Sequence, residues 1–127
     1  MKKLLLAFAV LMSLVGSANA EFYGTDYNKA IATSKAKDEP LVLMITASWC
    51  SPCQAQKKVI EGMVKDGTLP KGVHVAYVKY DSELAKKIRV SKSVPQLIRY
   101  KLVDGVWKKA AHIGYLKTPK LMEFLNG

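Results

Sequence analysis

The chain has 127 residues, half of them hydrophobic, with 20 basic residues against 10 acidic ones and a formal net charge of +10. That length builds one domain and is too short for two, and its hydrophobic share supplies a core without disulfide staples. The basic residues are scattered, with no run as long as five, which is the pattern of a solvated surface rather than of a nucleic-acid-binding block.

The first segment, MKKLLLAFAVLMSLVGSANA, has the three parts of an export signal: Lys2 and Lys3, an apolar run from Leu4 to Val15, and small residues at Ala18-Asn19-Ala20. The apolar run covers 12 residues, whereas a spanning helix needs about 20. No cysteine follows the cleavage position, which argues against a lipid anchor there. Residues 1–20 are therefore expected to be a cleaved signal and residues 21–127 the mature domain. Cleavage leaves 107 of the 127 residues, with 18 basic against 10 acidic ones and a net charge of +8. Export removes nucleic acid as a partner, and no stable membrane insertion is expected once the signal is gone. The remaining positive charge would favour acidic partners or anionic lipid headgroups.

Along the mature chain, Thr25 or Asp26 can cap a helix in which Tyr27, Ala30, Ile31 and Ser34 share a face, and Asp38-Glu39-Pro40 stops it. LVLMIT (41–46) is a continuous apolar run, as expected of a strand buried on both sides. The segment with the only two cysteines, Cys50 and Cys53, follows and leads into a helix through about Val64, with Val59, Ile60, Met63 and Val64 as its buried stripe. VHVAYVKY (73–80) reads as a second strand, and Asp81-Ser82 as the cap of a short helix, ELAKKI. PQLIRYKL (95–102) and VWKKAAHI (106–113) flank Val103-Asp104-Gly105, a hairpin turn. Thr118 as cap and Pro119 at the first helical position open a closing helix. The βαβ unit requires parallel strands and the hairpin antiparallel ones. The fold class is thus α/β, with a mixed central sheet of about four strands and helices on both faces. The cysteine pair falls at the carboxyl end of the first buried strand, where open α/β sheets carry their reactive groups.

Cys50-Ser51-Pro52-Cys53 admits several chemistries. Covalent haem attachment needs a histidine directly after the second cysteine, where Gln54 stands. A zinc site would have to draw on Cys50, Cys53, His74 and His112, and the two histidines are 38 positions apart rather than a few. Cu(I) capture by two soft thiolates stays open. A purely structural disulfide would close a very small loop and constrain the unfolded chain little. Redox exchange is the strongest of these readings. Cys50 at the strand end lies beside the unpaired N–H groups of the next helix, which favour a negative sulfur. That placement makes Cys50 the nucleophile and Cys53, one turn on, the resolving thiol. Pro52 fits the first helical turn, where its missing donor costs nothing.

WCSPC after a buried apolar strand resembles the thioredoxin active site, and SVPQL (93–97) resembles the loop in which a cis-proline faces the cysteines. Asp104-Gly105 and Gly114 match the hairpin turn and the glycine that follow in that family, so the resemblance spans the mature chain. It implies a thioredoxin fold and a protein-disulfide oxidoreductase with no bound cofactor or metal. Trp49, Pro52, Val94 and Pro95 would shape its substrate groove, with Trp49 beside the sulfurs. Its partners would be exported protein disulfides or thiols in the periplasm, with a membrane thiol reductase as electron donor. A redox-inert binding module or copper carrier of the same fold is the alternative. Two departures stand out: Met44 occupies the place of the family's buried Asp, six residues ahead of Cys50, and Tyr77 that of its partner lysine. The mid-helix proline is also absent, with Lys58 near its place. Proline at the second position between the cysteines resembles the reducing members. Valine before the cis-proline occurs also in oxidases.

Overall fold

The computed structural model describes residues 21–127, so the expected export signal, residues 1–20, lies outside the described residues. Nine elements follow one another: β1 (Glu21–Phe22), α1 (Tyr27–Lys37), β2 (Leu41–Thr46), α2 (Ser51–Asp66), β3 (His74–Lys79), α3 (Glu83–Ile88), β4 (Gln96–Val103), β5 (Val106–Ile113) and α4 (Thr118–Asn126). The strands form one sheet in the order β1-β3-β2-β4-β5. β1 and β2 run parallel to β3, whereas β4 is antiparallel to β2 and β5 to β4.

Every residue of β2 is buried, because this central strand is covered on both faces. Its side chains alternate between two apolar clusters. Val42 and Met44 join Ile60 and Met63 of α2 and Leu121 and Leu125 of α4 on one face. Leu41, Leu43 and Ile45 join Ala30 of α1 and Ala85 of α3 on the other. A leucine or isoleucine buried completely, as Leu43 and Ile45 are, contributes about 1.5–3 kcal/mol. The continuous apolar run thus fixes both the position of β2 and the side of the sheet that each helix covers.

The helix ends follow local chemistry. The Asp26 carboxylate accepts from the Lys29 N–H at 3.2 Å and caps α1, while Asp38, left-handed at φ 55°, ends it. Ser82 caps α3 by accepting from Ala85 N–H. The β4–β5 turn takes positive φ at Asp104 (53°) and Gly105 (79°), the conformation that Asp-Gly favours in a two-residue hairpin.

Two expectations are corrected. The sheet has five strands rather than about four, because Glu21–Phe22 adds to the free edge of β3: Glu21 N–H donates to Val73 O at 3.3 Å and Tyr23 N–H to Val75 O at 2.9 Å. Two residues are too few to show a strand period in sequence. The closing helix begins with Thr118 already inside it, and Lys117 is the capping position, with no side-chain bond. Among the described residues no helix is long and apolar enough to cross a membrane.

Candidate active site

Cys50 and Cys53 are joined in a disulfide, with their Cα atoms 5.2 Å apart. The loop leaving β2 brings Cys50 to the N-cap of α2 in extended conformation (φ −101°, ψ 109°). There the Cys50 Sγ accepts from the Cys53 N–H at 3.1 Å. Pro52 stands in the first turn, where an N–H would have no intrahelical partner. Both cysteines belong to the apolar cluster under α2: Cys53 is fully buried and Cys50 only 5 % exposed. On reduction, the Cys50 sulfur sits where an amide donor and the positive end of a 16-residue helix stabilise a thiolate. Two sulfurs that make and break one bond in such a place perform thiol–disulfide exchange.

The predicted groove residues occupy different settings. The Val94–Pro95 peptide bond is cis. Val94 packs against the cluster that contains both cysteines, and Pro95 is buried. This loop is held from behind by Gln96, whose fully buried side chain donates to Ser91 O (2.6 Å) and Ser93 O (2.7 Å) and accepts from Val90 N–H (3.0 Å). Pro52 is exposed at the head of α2. Trp49 is 71 % exposed and does not join the cysteine cluster. Its ring meets the Tyr80 ring edge-on at 5.9 Å, and the Arg89 guanidinium covers Tyr80 at 4.6 Å.

Met44, fully buried, pairs in register with Tyr77 of β3. Among the described residues no carboxylate is buried in the core in place of Met44. Instead the Tyr77 hydroxyl donates to Glu61 Oε2 at 2.8 Å, and the Lys57 ammonium lies 5.1 Å from the Tyr77 ring centre. Burial, with help from the Glu61 carboxylate, holds the Tyr77 phenol well above its usual range, so it stays protonated and donates.

Lys57, Glu61, Gln56 and Gln96 were not marked by the sequence reading. Gln56 is fully buried on α2, where it donates to Leu116 O (3.1 Å) and accepts from Leu116 N–H (2.7 Å), tying α2 to the segment before α4. Lys57 and Glu61 stand one turn apart on α2, but both turn to Tyr77 of β3, which their spacing does not signal. A lone glutamine in an otherwise apolar stripe offers no signal either. The two histidines lie apart in role. His74 is buried between Glu39 Oε1 (2.6 Å from Nε2) and the Tyr23 hydroxyl (2.8 Å from Nδ1), whereas His112 lies against Phe124 with ring centres 6.3 Å apart. Among the described residues no three His, Cys, Asp or Glu side chains converge as a metal site.

The thioredoxin family model matches residues 19–126. Among solved structures, thioredoxin O2 of Arabidopsis thaliana in the oxidized state is similar at 25% identity and TM-score 0.58, covering 86% of this chain and 93% of its own. A thioredoxin from Thermus thermophilus is similar at 21% identity and TM-score 0.64, covering 85% of each chain. Plasmodium falciparum thioredoxin gives TM-score 0.66 at 13% identity, over 85% of this chain and 88% of its own. The search of curated proteins finds no match. With the match running nearly from one end of the described fold to the other, the chain belongs to the thioredoxin family and carries the cysteine pair of a thiol–disulfide oxidoreductase.

Proposed function

We propose that this oxidoreductase reduces or isomerises disulfides of exported proteins, with Cys50 attacking and Cys53 resolving. The observation that carries the assignment of roles is the Cys53 N–H donating to Cys50 Sγ at the head of α2. The Cys50 thiolate attacks one sulfur of the substrate disulfide, forming a mixed disulfide and releasing the other substrate sulfur as a thiolate. Cys53, deprotonated, then attacks Cys50 Sγ, closing the Cys50–Cys53 bond and releasing the second substrate thiolate. Two electrons pass from the cysteine pair to the substrate. A dithiol donor must return them, and in an oxidising periplasm a membrane thiol reductase is the fitting source. Periplasmic export rests on the sequence of residues 1–20, and the groove role on Val94 packed beside the cysteines.

Insulin reduction driven by dithiothreitol tests the roles. Wild type should accelerate it, and Cys50→Ser should fall to the uncatalysed rate. Pre-reduced Cys53→Ser, mixed with insulin after the dithiothreitol is removed, should instead accumulate a mixed disulfide, visible by mass, because attack survives and resolution does not. Adducts formed by Cys50→Ser but not by Cys53→Ser would reverse the assignment.

A further inference from the structure

Beside the redox pair, between the ends of β2 and β3 and the first turns of α2, lies a cavity of about 450 Å³. Its wall includes Thr46, Trp49, Lys57, Lys79 and Tyr80. Thr46 and Lys79 are register partners across β2 and β3, so strand alternation puts both side chains on the α2 face, with Met44 and Tyr77. Thr46 is 5 % exposed, and its Oγ1, which has no hydrogen-bond partner, is closed to solvent. Two features of this wall point to a ligand. Neither Lys57 nor Lys79 is in an ion pair among the described residues. Trp49 and Tyr80 add aromatic faces, and Trp49 directly precedes Cys50.

We infer that this cavity is a specificity subsite for an acidic side chain close to the substrate's disulfide cysteine. The inference rests on the exchange activity proposed above. With the substrate sulfur on Cys50, a flanking segment passes over Trp49. The methylene stem of a glutamate then lies on the Trp49 and Tyr80 rings. Its carboxylate accepts from the Lys57 and Lys79 ammonium groups. Asp81 also lines the cavity and opposes an anion, but the two lysines outnumber it. The net charge of +8 on residues 21–127 draws an acidic segment towards the site.

The test uses two disulfide peptides identical except for Glu or Gln beside the cysteine. Wild type should favour the Glu peptide in kcat/KM by about five- to tenfold at low salt, mostly through KM, as a few partly screened charge contacts would give. That ratio should fall towards one at high salt, in Lys79→Gln and in Lys57→Gln. Equal kcat/KM for the two peptides in wild type, or a ratio undiminished in both variants, overturns the subsite. Cysteine-free Glu and Gln peptides, titrated against the disulfide form by tryptophan fluorescence, separate this inference from the activity. Tighter binding of the Glu peptide supports the subsite even if neither disulfide is turned over, which would sink the exchange reading alone. Equal binding rejects the subsite.

Discussion

In Thr46→Val a methyl group replaces the hydroxyl that has no partner, at nearly constant volume. A buried polar atom left unsatisfied carries a desolvation cost of about 1–3 kcal/mol. The valine variant should therefore unfold at higher urea concentration than wild type, by about 1 kcal/mol, with an unchanged slope. A loss of stability would show that the hydroxyl is bonded in the folded protein. Residue-scale chemistry was unevenly legible in the sequence. Cys50 and Cys53 stood out because they are the only cysteines and flank Ser-Pro after an apolar run. Thr46, Lys57 and Glu61 did not, because their meaning arises across the β2–β3 register and from the turn of α2 above it. Tyr77 could be read as a departure from the family pattern. Its pairing with Glu61, 16 positions earlier, could not.

At the scale of elements, the least legible strand is also the one most dependent on side chains. β1 contributes two residues, and its attachment is reinforced by Tyr23, whose hydroxyl donates to Glu21 and lies 2.8 Å from the ring nitrogen of buried His74. The bond from Tyr23 is the main cause that holds the Glu21 carboxyl below its ordinary value of 4.5. Because the unfolded chain then binds a proton more readily than the folded one, this contribution is present above that value. It is lost as pH falls through the lower folded value. Tyr23→Phe should cost about 1–2 kcal/mol at pH 7. The gap from wild type should narrow at pH 3, as read from urea unfolding at the two pH values. An equal gap at both would remove Glu21 from the account. The longer elements were legible because each carries its own period or cap: the apolar run of β2, Asp26 before α1, Ser82 before α3, and Asp-Gly between β4 and β5. Thr118 misled as a cap because Pro119 marks the first turn of a helix without fixing which residue precedes it.

For the whole molecule, element order alone led to the mixed sheet, since a βαβ unit and a hairpin leave few ways to share one core. The site follows from that topology: β2 is central, so the loop leaving its carboxyl end delivers Cys50 to the N-terminus of α2 and into the apolar cluster. What topology does not reveal is the direction of electron flow, which depends on how strongly the reduced state is stabilised. Between the cysteines stand Ser51 and Pro52, neither of them charged, and the donor to Cys50 Sγ is the Cys53 amide. Such a site favours the Cys50 thiolate moderately, with no charged side chain between the cysteines to stabilise it further. The central claim, that this cysteine pair delivers electrons to its substrates, is tested most directly by its reduction potential, measured by equilibration with glutathione redox buffers. The account predicts a value nearer thioredoxin's roughly −270 mV than the roughly −120 mV of a strong periplasmic oxidant. A potential above about −150 mV, close to that oxidant's end of the scale, would contradict it and make the protein a donor of disulfides.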